Sequence, residues 1–278
     1  MINILLSSDK LNNAQICPKL YNYIHEIQKV PPTKEEYFQE GELFHYVLAE
    51  YYTHIMKSEE VNRELLLILA QNYAAEKLEL SSEALSDAIA DINMYFDWYI
   101  SGKETWLIEA VEEPFAKVLY EDSDVRIVIQ GKCDLKVRTN NGKGPLAIVD
   151  HKYEASFRRA KERDNQPLCY SWAFESRDFV YNRIGKQKSY KPEDRLKRDY
   201  VCYAQHQIDE WKESAIYTAL EILKFSESNY WPSRFSGCNI YGKRCTYHDI
   251  CNTSPSNRDY KLSMLFANKS KHNLMEDK

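Results

Sequence analysis

No apolar run in this 278-residue chain approaches the ~18 residues that a membrane-spanning helix needs. Its start, MINILLSSDK, lacks the basic region and long apolar core of a signal peptide. Both absences set the expectation of a cytoplasmic protein with no membrane partner. Repeats, low-complexity tracts and linkers are missing as well, so the simplest organisation is a single domain over 1–278. A polybasic character is absent: the net charge is -5. That excludes a histone-like protein but allows a local basic groove. There is also no C-x2-C pair, the usual signature of a zinc knuckle.

The hydrophobic content of 44% suits a folded protein. A cap signal at Ser7-Ser8-Asp9 followed by Leu11, Ile16, Leu20, Tyr23 and Ile27 predicts a helix over 7–28, ended by Pro31-Pro32. Helices are expected over 34–57 and over 62–99, the latter with a break near Ser81-Ser82, making 7–100 mostly helical. The pattern then alternates apolar with polar through EPFAKVLYE, DVRIVIQGKCDLKVR and PLAIVDHK, with TNNGKG supplying hairpin chemistry. Helices are expected over 164–177 and 209–228, a basic and weakly apolar stretch over 177–198, and a strand in DYVCYAQHQI. The α/β core thus runs over about 107–228, followed by a Cys-rich loop over 229–254 and a polar tail over 255–278.

The strand PLAIVDHK ends in three ionisable groups. Side chains alternate along a strand, so Asp150 and Lys152 share one face and His151 takes the other. A hairpin turning at Asn141-Gly142 pairs residues whose numbers sum to about 283 or 284 and sets Asp134 beside Val149 or Asp150. Two carboxylates then converge beside one ammonium, a combination suited to Mg2+ or Mn2+ and to phosphodiester hydrolysis. Elsewhere, YFQEGELFHYVLAEYY places His45 four residues after Gly41, a helix-weakening glycine that suggests close approach by another backbone. RDNQPLCYSW sets Gln166 and Tyr170 at i and i+4 near a helix start.

Seven cysteines in a reducing compartment suggest metal rather than disulfides. Cys238, Cys245 and Cys251 lie close in sequence, Cys17 is a distant fourth, and four thiolates can hold a [4Fe-4S] cluster. Zinc is the competing metal, with His248 able to replace a cysteine. Cys133, Cys169 and Cys202 read as small buried hydrophobes.

In order along the chain, Gly41 to His45 (G-x-x-x-H), Gly131 to Asp134 (G-x-x-D), Asp150 to Lys152 (D-x-K) and Gln166 to Tyr170 (Q-x-x-x-Y) resemble the RecB-type branch of the PD-(D/E)XK nuclease superfamily, with phage and CRISPR-associated exonucleases among the relatives. The opening SSDKLNNAQICPKLYNYIHE resembles that branch too. One cysteine before the core and three after it resemble the branch's iron-sulfur staple. The resemblance implies a restriction-endonuclease-like fold of the α/β class, a short mixed sheet flanked by helices, a helical N-terminal region and a Cys-ligated cluster joining the terminal segments. It also implies that His45, Asp134, Asp150 and the backbone carbonyl of His151 bind metal, that Lys152 is catalytic, and that Gln166 and Tyr170 support Lys152 or contact the scissile strand. Tyr153-Glu154 replaces the usual Thr-Gly, His151 replaces an aromatic or aliphatic residue, and Glu42 is an outer candidate.

The activity expected from this resemblance is a metal-dependent exonuclease on single-stranded or end-exposed DNA in recombination, repair or phage DNA metabolism, with a helicase or recombination protein as partner. A non-catalytic DNA-end binding or scaffold protein is the alternative. Residues 157–198 carry twelve Arg or Lys against six Asp or Glu. Within them, Arg158, Arg159, Lys161 and Arg163 could track phosphates, while Trp172, Tyr181 and Tyr190 offer stacking surfaces.

Overall fold

The computed structural model describes residues 1–100, 104–155, 157, 164–240 and 242–269. The elements run β1 (Ile2–Leu6), α1 (Ser8–Ile16), α2 (Pro18–Tyr21), β2 (Lys29–Val30), α3 (Glu36–Met56), α4 (Arg63–Lys77), α5 (Ser82–Ile100), β3 (Leu107–Glu121), β4 (Val125–Arg138) and β5 (Leu146–Glu154). They continue α6 (Asn165–Ala173), β6 (Asp178–Gly185), α7 (Pro192–Arg195), β7 (Leu196–Cys202), α8 (Gln205–Ser228), β8 (Asn239–Ile240), β9 (Lys243–Arg244), α9 (His248–Cys251), α10 (Pro255–Leu265) and β10 (Ala267–Asn268). Two compact units result, one from 34–114 and 132–205, the other from 1–33, 115–131 and 206–278.

The first of these units is α/β. Apolar residues recur along α3 at Leu43, Phe44, Val47, Leu48 and Tyr51, a spacing that puts them on one face. That face packs with Ile92, Tyr95 and Phe96 of α5 and with Leu135, Val137, Val149, Val180 and Ile184 of the sheet. The second half of β4 pairs antiparallel with β5, from Leu135 opposite Val149 to Arg138 opposite Leu146. The sum of 284 is the register expected from the turn, where Asn140, Asn141 and Gly142 have φ of 50°, 52° and 84°. Strand β6 lies parallel to β5, and β7 antiparallel to β6. The sheet is therefore mixed, and helices flank it.

In the other unit β1 runs parallel to the first half of β4, Ile2 opposite Val125 through Leu6 opposite Ile129. Helix α8 buries Ile208, Trp211, Ala215, Ala219 and Ile222. A smaller core gathers Tyr23, Tyr247, Ile250, Leu262 and Phe266, and β10 pairs with β2.

Several sequence expectations need correction. The helix expected over 7–28 is preceded by β1, starts at the Ser7 cap as foreseen, and is interrupted at Cys17 and Pro18, where the ring cannot continue the α1 ladder. The weakly apolar 177–198 contains β6, nearly every residue of which is buried. The next strand begins at Leu196 rather than Asp199, and the polar tail contains α10. The helix over 62–99 does break at Ser81-Ser82, with Asn62 and Ser81 capping the two halves. Among the described residues, no helix is long and apolar enough to cross a membrane.

Candidate active site and cysteine cluster

The β4–β5 ladder stops one step before Asp134 and Asp150. There the strands diverge, and the backbone N–H of His151 donates to Asp134 Oδ2 at 2.7 Å instead of continuing the ladder. His45, on the inward side of α3, brings Nδ1 to 3.3 Å from the same oxygen. Across the fork, Lys152 Nζ lies 2.7 Å from Asp150 Oδ2. Gln166, in the first turn of α6, ties the second pair together: its Nε2 donates to Asp150 Oδ1 at 2.9 Å, and its Oε1 accepts from Lys152 Nζ at 3.0 Å. That double bond fixes which way the amide faces.

These side chains form two charge pairs at the edge of the core, where the carboxylates are shielded while the His45 and Lys152 side chains keep 37% and 34% of their surface exposed. Burial pulls the His45 imidazole down, but the neighbouring Asp134 carboxylate, with a smaller push from Asp150, carries it up to about 9. Asp134 is held well below the usual carboxylate range, burial being outweighed by His45 and by its bonds to His45 and the His151 N–H. Asp150 moves the other way: burial, reinforced by the Asp134 charge, raises it against the pull of Lys152. Burial would depress the Lys152 ammonium, yet Asp150 and Asp134 hold it raised. Two adjacent carboxylates, Asp150 buried and Asp134 partly buried, are thus neutralised by an imidazolium and an ammonium.

One imidazole nitrogen and several carboxylate oxygens are the donor types that a hard divalent cation takes. Asp150 Oδ2, buried and paired with the Lys152 ammonium at 2.7 Å, is an oxygen donor of the right kind. Among the described residues no three His, Cys, Asp or Glu side chains already stand in a metal-holding arrangement. The carboxylates are closed on their own cations.

The other expected site residues take different places. Tyr170 is buried, and its hydroxyl donates to the Lys132 carbonyl at 2.9 Å, bracing β4 two residues before Asp134. His151 turns its ring to the opposite face of the sheet, as alternation requires. There it stacks on Tyr52, with centroids 5.7 Å apart, and its Nδ1 lies 2.9 Å from Asn182 Nδ2. Glu42 bonds Tyr73 and Lys34 instead of the site. Among the described residues, a Cβ placed on Gly41 would meet nothing within 4 Å, and no backbone of theirs approaches it closely. Tyr181 is buried and offers no stacking surface, whereas Tyr190 is exposed. Arg158, Arg159, Lys161 and Arg163 lie outside the described residues.

Sequence reasoning missed Glu112, which pairs with Lys132 and senses both Asp134 and His45. Its backbone φ of 52° is left-handed, unfavourable for a residue with a Cβ. Only a three-dimensional fold brings it there. Asn182 and Arg198 were missed as well, because each stands next to other polar residues in YNRIG and LKRDYVC: Arg183 beside the one, Lys197 and Asp199 beside the other.

In the other unit the four terminal cysteines lie within electrostatic reach of one another, but among the described residues they form no group that could hold a metal ion. Gly237 packs so tightly on the turn after α1 that a Cβ there would stand 2.7 Å from the Ile16 carbonyl oxygen and 3.3 Å from Cys17 Cβ. Its lack of a side chain lets the segment that leads into Cys238 lie against Cys17. The Arg234 N–H donates to Cys17 Sγ at 3.4 Å, and the Cys245 N–H donates to the Cys238 carbonyl at 2.9 Å. Burial raises the Cys245 and Cys251 thiols, and the charge of Cys17 raises both further. Four thiolates match the donor set of either a [4Fe-4S] cluster or tetrahedral zinc. The His248 ring meets Asn252 Nδ2 at 2.9 Å. Cys133 and Cys169 are buried as expected, while Cys202 is exposed.

No curated protein gives a significant match. A solved structure described as "SSO0001" is 14% identical, with a TM-score of 0.40, over 90% of this chain and 85% of that one. An Eubacterium rectale protein called "Putative exonuclease" is 14% identical, with a TM-score of 0.47, over 88% of this chain and 92% of that one. The sequence model of the PD-(D/E)XK nuclease superfamily matches residues 5–252, a span containing the forked strand end, its four charged groups, Gln166 and the four terminal cysteines, and the chain belongs to that superfamily.

Proposed function

We propose that this chain is a metal-dependent deoxyribonuclease, an exonuclease acting on single-stranded or end-exposed DNA in recombination, repair or phage DNA metabolism. Its superfamily consists in general of metal-dependent nucleases. The observation that carries the reading is the meeting of a buried and a partly buried carboxylate, an imidazole and an ammonium where the β4–β5 ladder ends. His45, Asp134, Asp150 and the His151 carbonyl would hold Mg2+ or Mn2+, and Lys152 is the catalytic lysine. When bound, the ion supplies Lewis acidity toward the phosphate and lowers the pKa of a coordinated water.

The protein's own residues do the rest. Gln166 keeps the Lys152 ammonium beside Asp150, where it can stabilise charge developing on the phosphate. Its two hydrogen bonds restrict the motion of both partners, so the ammonium needs little reorganisation during attack. The His45 proton leaves when the imidazole becomes a ligand, because a protonated ring has no lone pair to give. The four cysteines Cys17, Cys238, Cys245 and Cys251 hold a [4Fe-4S] cluster that fastens the terminal segments of their unit. The protein works in the cytoplasm with a helicase or recombination protein.

The test is an assay on end-labelled and circular DNA, single- and double-stranded, with Mg2+ or Mn2+. Degradation of linear substrates alone supports the proposal. Cutting of closed circles would assign an endonuclease instead, and end binding without hydrolysis would leave a scaffold protein.

A further inference from the structure

Behind the candidate site, on the face of the sheet away from Asp150 and Lys152, lies a polar row inside an apolar core. His151 of β5 is opposite Asn182 of β6, and Asn182 is opposite Arg198 of β7. The rows on either side are Val149 with Val180 and Tyr153 with Ile184 and Leu196, all part of the core. Polar groups in such a place need partners. Arg198 forks onto Glu104, with bonds of 3.1 and 2.8 Å, and its guanidinium lies 3.4 Å from the Trp106 ring centroid. Tyr52 donates to Glu104 at 3.1 Å and shares a short 2.5 Å hydrogen bond with Tyr95.

This network has a direction. An arginine is always a donor, and Arg198 Nε donates to Asn182 Oδ1 at 3.4 Å. The amide of Asn182 is thereby oriented with Nδ2 toward Tyr95, whose hydroxyl accepts at 2.9 Å, and toward His151 Nδ1, also at 2.9 Å. Since Nδ2 can only donate, His151 Nδ1 must accept, and the ring hydrogen of the neutral imidazole must sit on Nε2. His151 Nε2 is buried and has no hydrogen-bond partner among the described residues. Phenylalanine would fill the same space on Tyr52 without leaving a polar nitrogen unpaired. The backbone N–H of this same residue bonds Asp134.

We propose that Asn182, oriented by Arg198, is a positioning residue of the nuclease site: by fixing the His151 ring in its Nε2–H form it holds the His151 backbone in the place from which it orients Asp134. The inference rests on the reading of His45, Asp134 and Asp150 as metal ligands. Asn182 itself touches no reacting group. Outer partners of this type typically change metal affinity by about 10–100-fold when altered.

The test uses the full-length protein with 15N-labelled histidine. Wild type should show the Nε2–H tautomer of His151 in long-range 1H–15N spectra of the metal-free form. Asn182→Asp accepts where Asn182 donates, and should convert His151 to the Nδ1–H form. It should also weaken Mn2+ binding about tenfold, read by electron paramagnetic resonance of free Mn2+, and lower kcat while leaving KM for DNA unchanged. Leu48→Ala, a core truncation of α3, is the control for lost stability and should move neither tautomer nor Mn2+ affinity. If Asn182→Asp does not fold, His151→Phe should still weaken Mn2+ binding by a similar factor. A tautomer that stays put in Asn182→Asp overturns the inference, and so does Mn2+ affinity within about twofold of wild type in either variant. Wild type that binds no Mn2+ overturns this inference and the nuclease reading together. Unchanged variants of a Mn2+-binding wild type overturn this inference alone.

Discussion

His45 and Lys152 stand where positive charge is needed in the metal-free protein. Each neutralises one of two carboxylates that face each other across a fork in the sheet. The raised His45 value, about 9, means that its ring is protonated at neutral pH. Its folded pKa lies above the unfolded one, so its contribution to stability is fully present below about 6.5. The contribution is then lost as pH rises through about 9. Histidine-selective NMR of metal-free protein should show one imidazole titrating near 9 that moves toward 6.5 in Asp134→Asn; a wild-type midpoint near 6.5 would remove the ion pair from the account. Gln166 acts on the other pair. Gln166→Ala frees both Asp150 and Lys152, and kcat should fall by about 10–100-fold with the fold intact. Undiminished turnover would show the amide to be incidental.

At the scale of elements, alternation along β5 was readable from sequence and correctly put Asp150 and Lys152 on one face. The Asn-Gly turn likewise gave the β4–β5 register. Strand β6 was not readable, because Asn182 and Arg183 break its apolar run. Their partners come from remote segments: Tyr95 and Arg198 for one, Glu154 and Asp199 for the other. Strand β1 was hidden for another reason, since five residues before a helix cap, apolar except for Asn3, carry little periodicity. The sequence also suggested a backbone contact at Gly41 that the fold does not make. Gly41→Ala should therefore stabilise the protein by about 1 kcal/mol through helix propensity, measured by chemical denaturation. A loss of stability would mean that something does approach that side of α3. Gly237→Ala should have the opposite effect, because its Cβ would press on the Ile16 carbonyl. A variant as stable as wild type would show that this contact can yield.

At the scale of the whole molecule, four sequence motifs spread over 41–170 bring His45, Asp134, Asp150, Lys152 and Gln166 to one strand end. The family was legible because each motif is short and its chemistry is local. The supporting polar row behind it was not, since its members share no motif and meet only across three strands and two helices. The cysteines were legible as a count, but the close approach of Gly237 to Ile16 and Cys17, possible only without a side chain, appears only in the fold. Anaerobically purified protein should be brown, with thiolate-to-iron absorbance near ~400 nm that disappears in Cys245→Ser. Colourless protein carrying stoichiometric zinc would replace the cluster with a zinc site.

The central claim is that the Asp150 and Lys152 side chains hydrolyse phosphodiesters with a divalent metal. The most direct measurement is Mn2+-dependent release of nucleotides from end-labelled linear DNA by wild type, Asp150→Ala and Lys152→Ala, with folding checked by circular dichroism. The account predicts hydrolysis by wild type, abolished by EDTA, and none by either folded variant. Folded variants that degrade DNA as fast as wild type would contradict it.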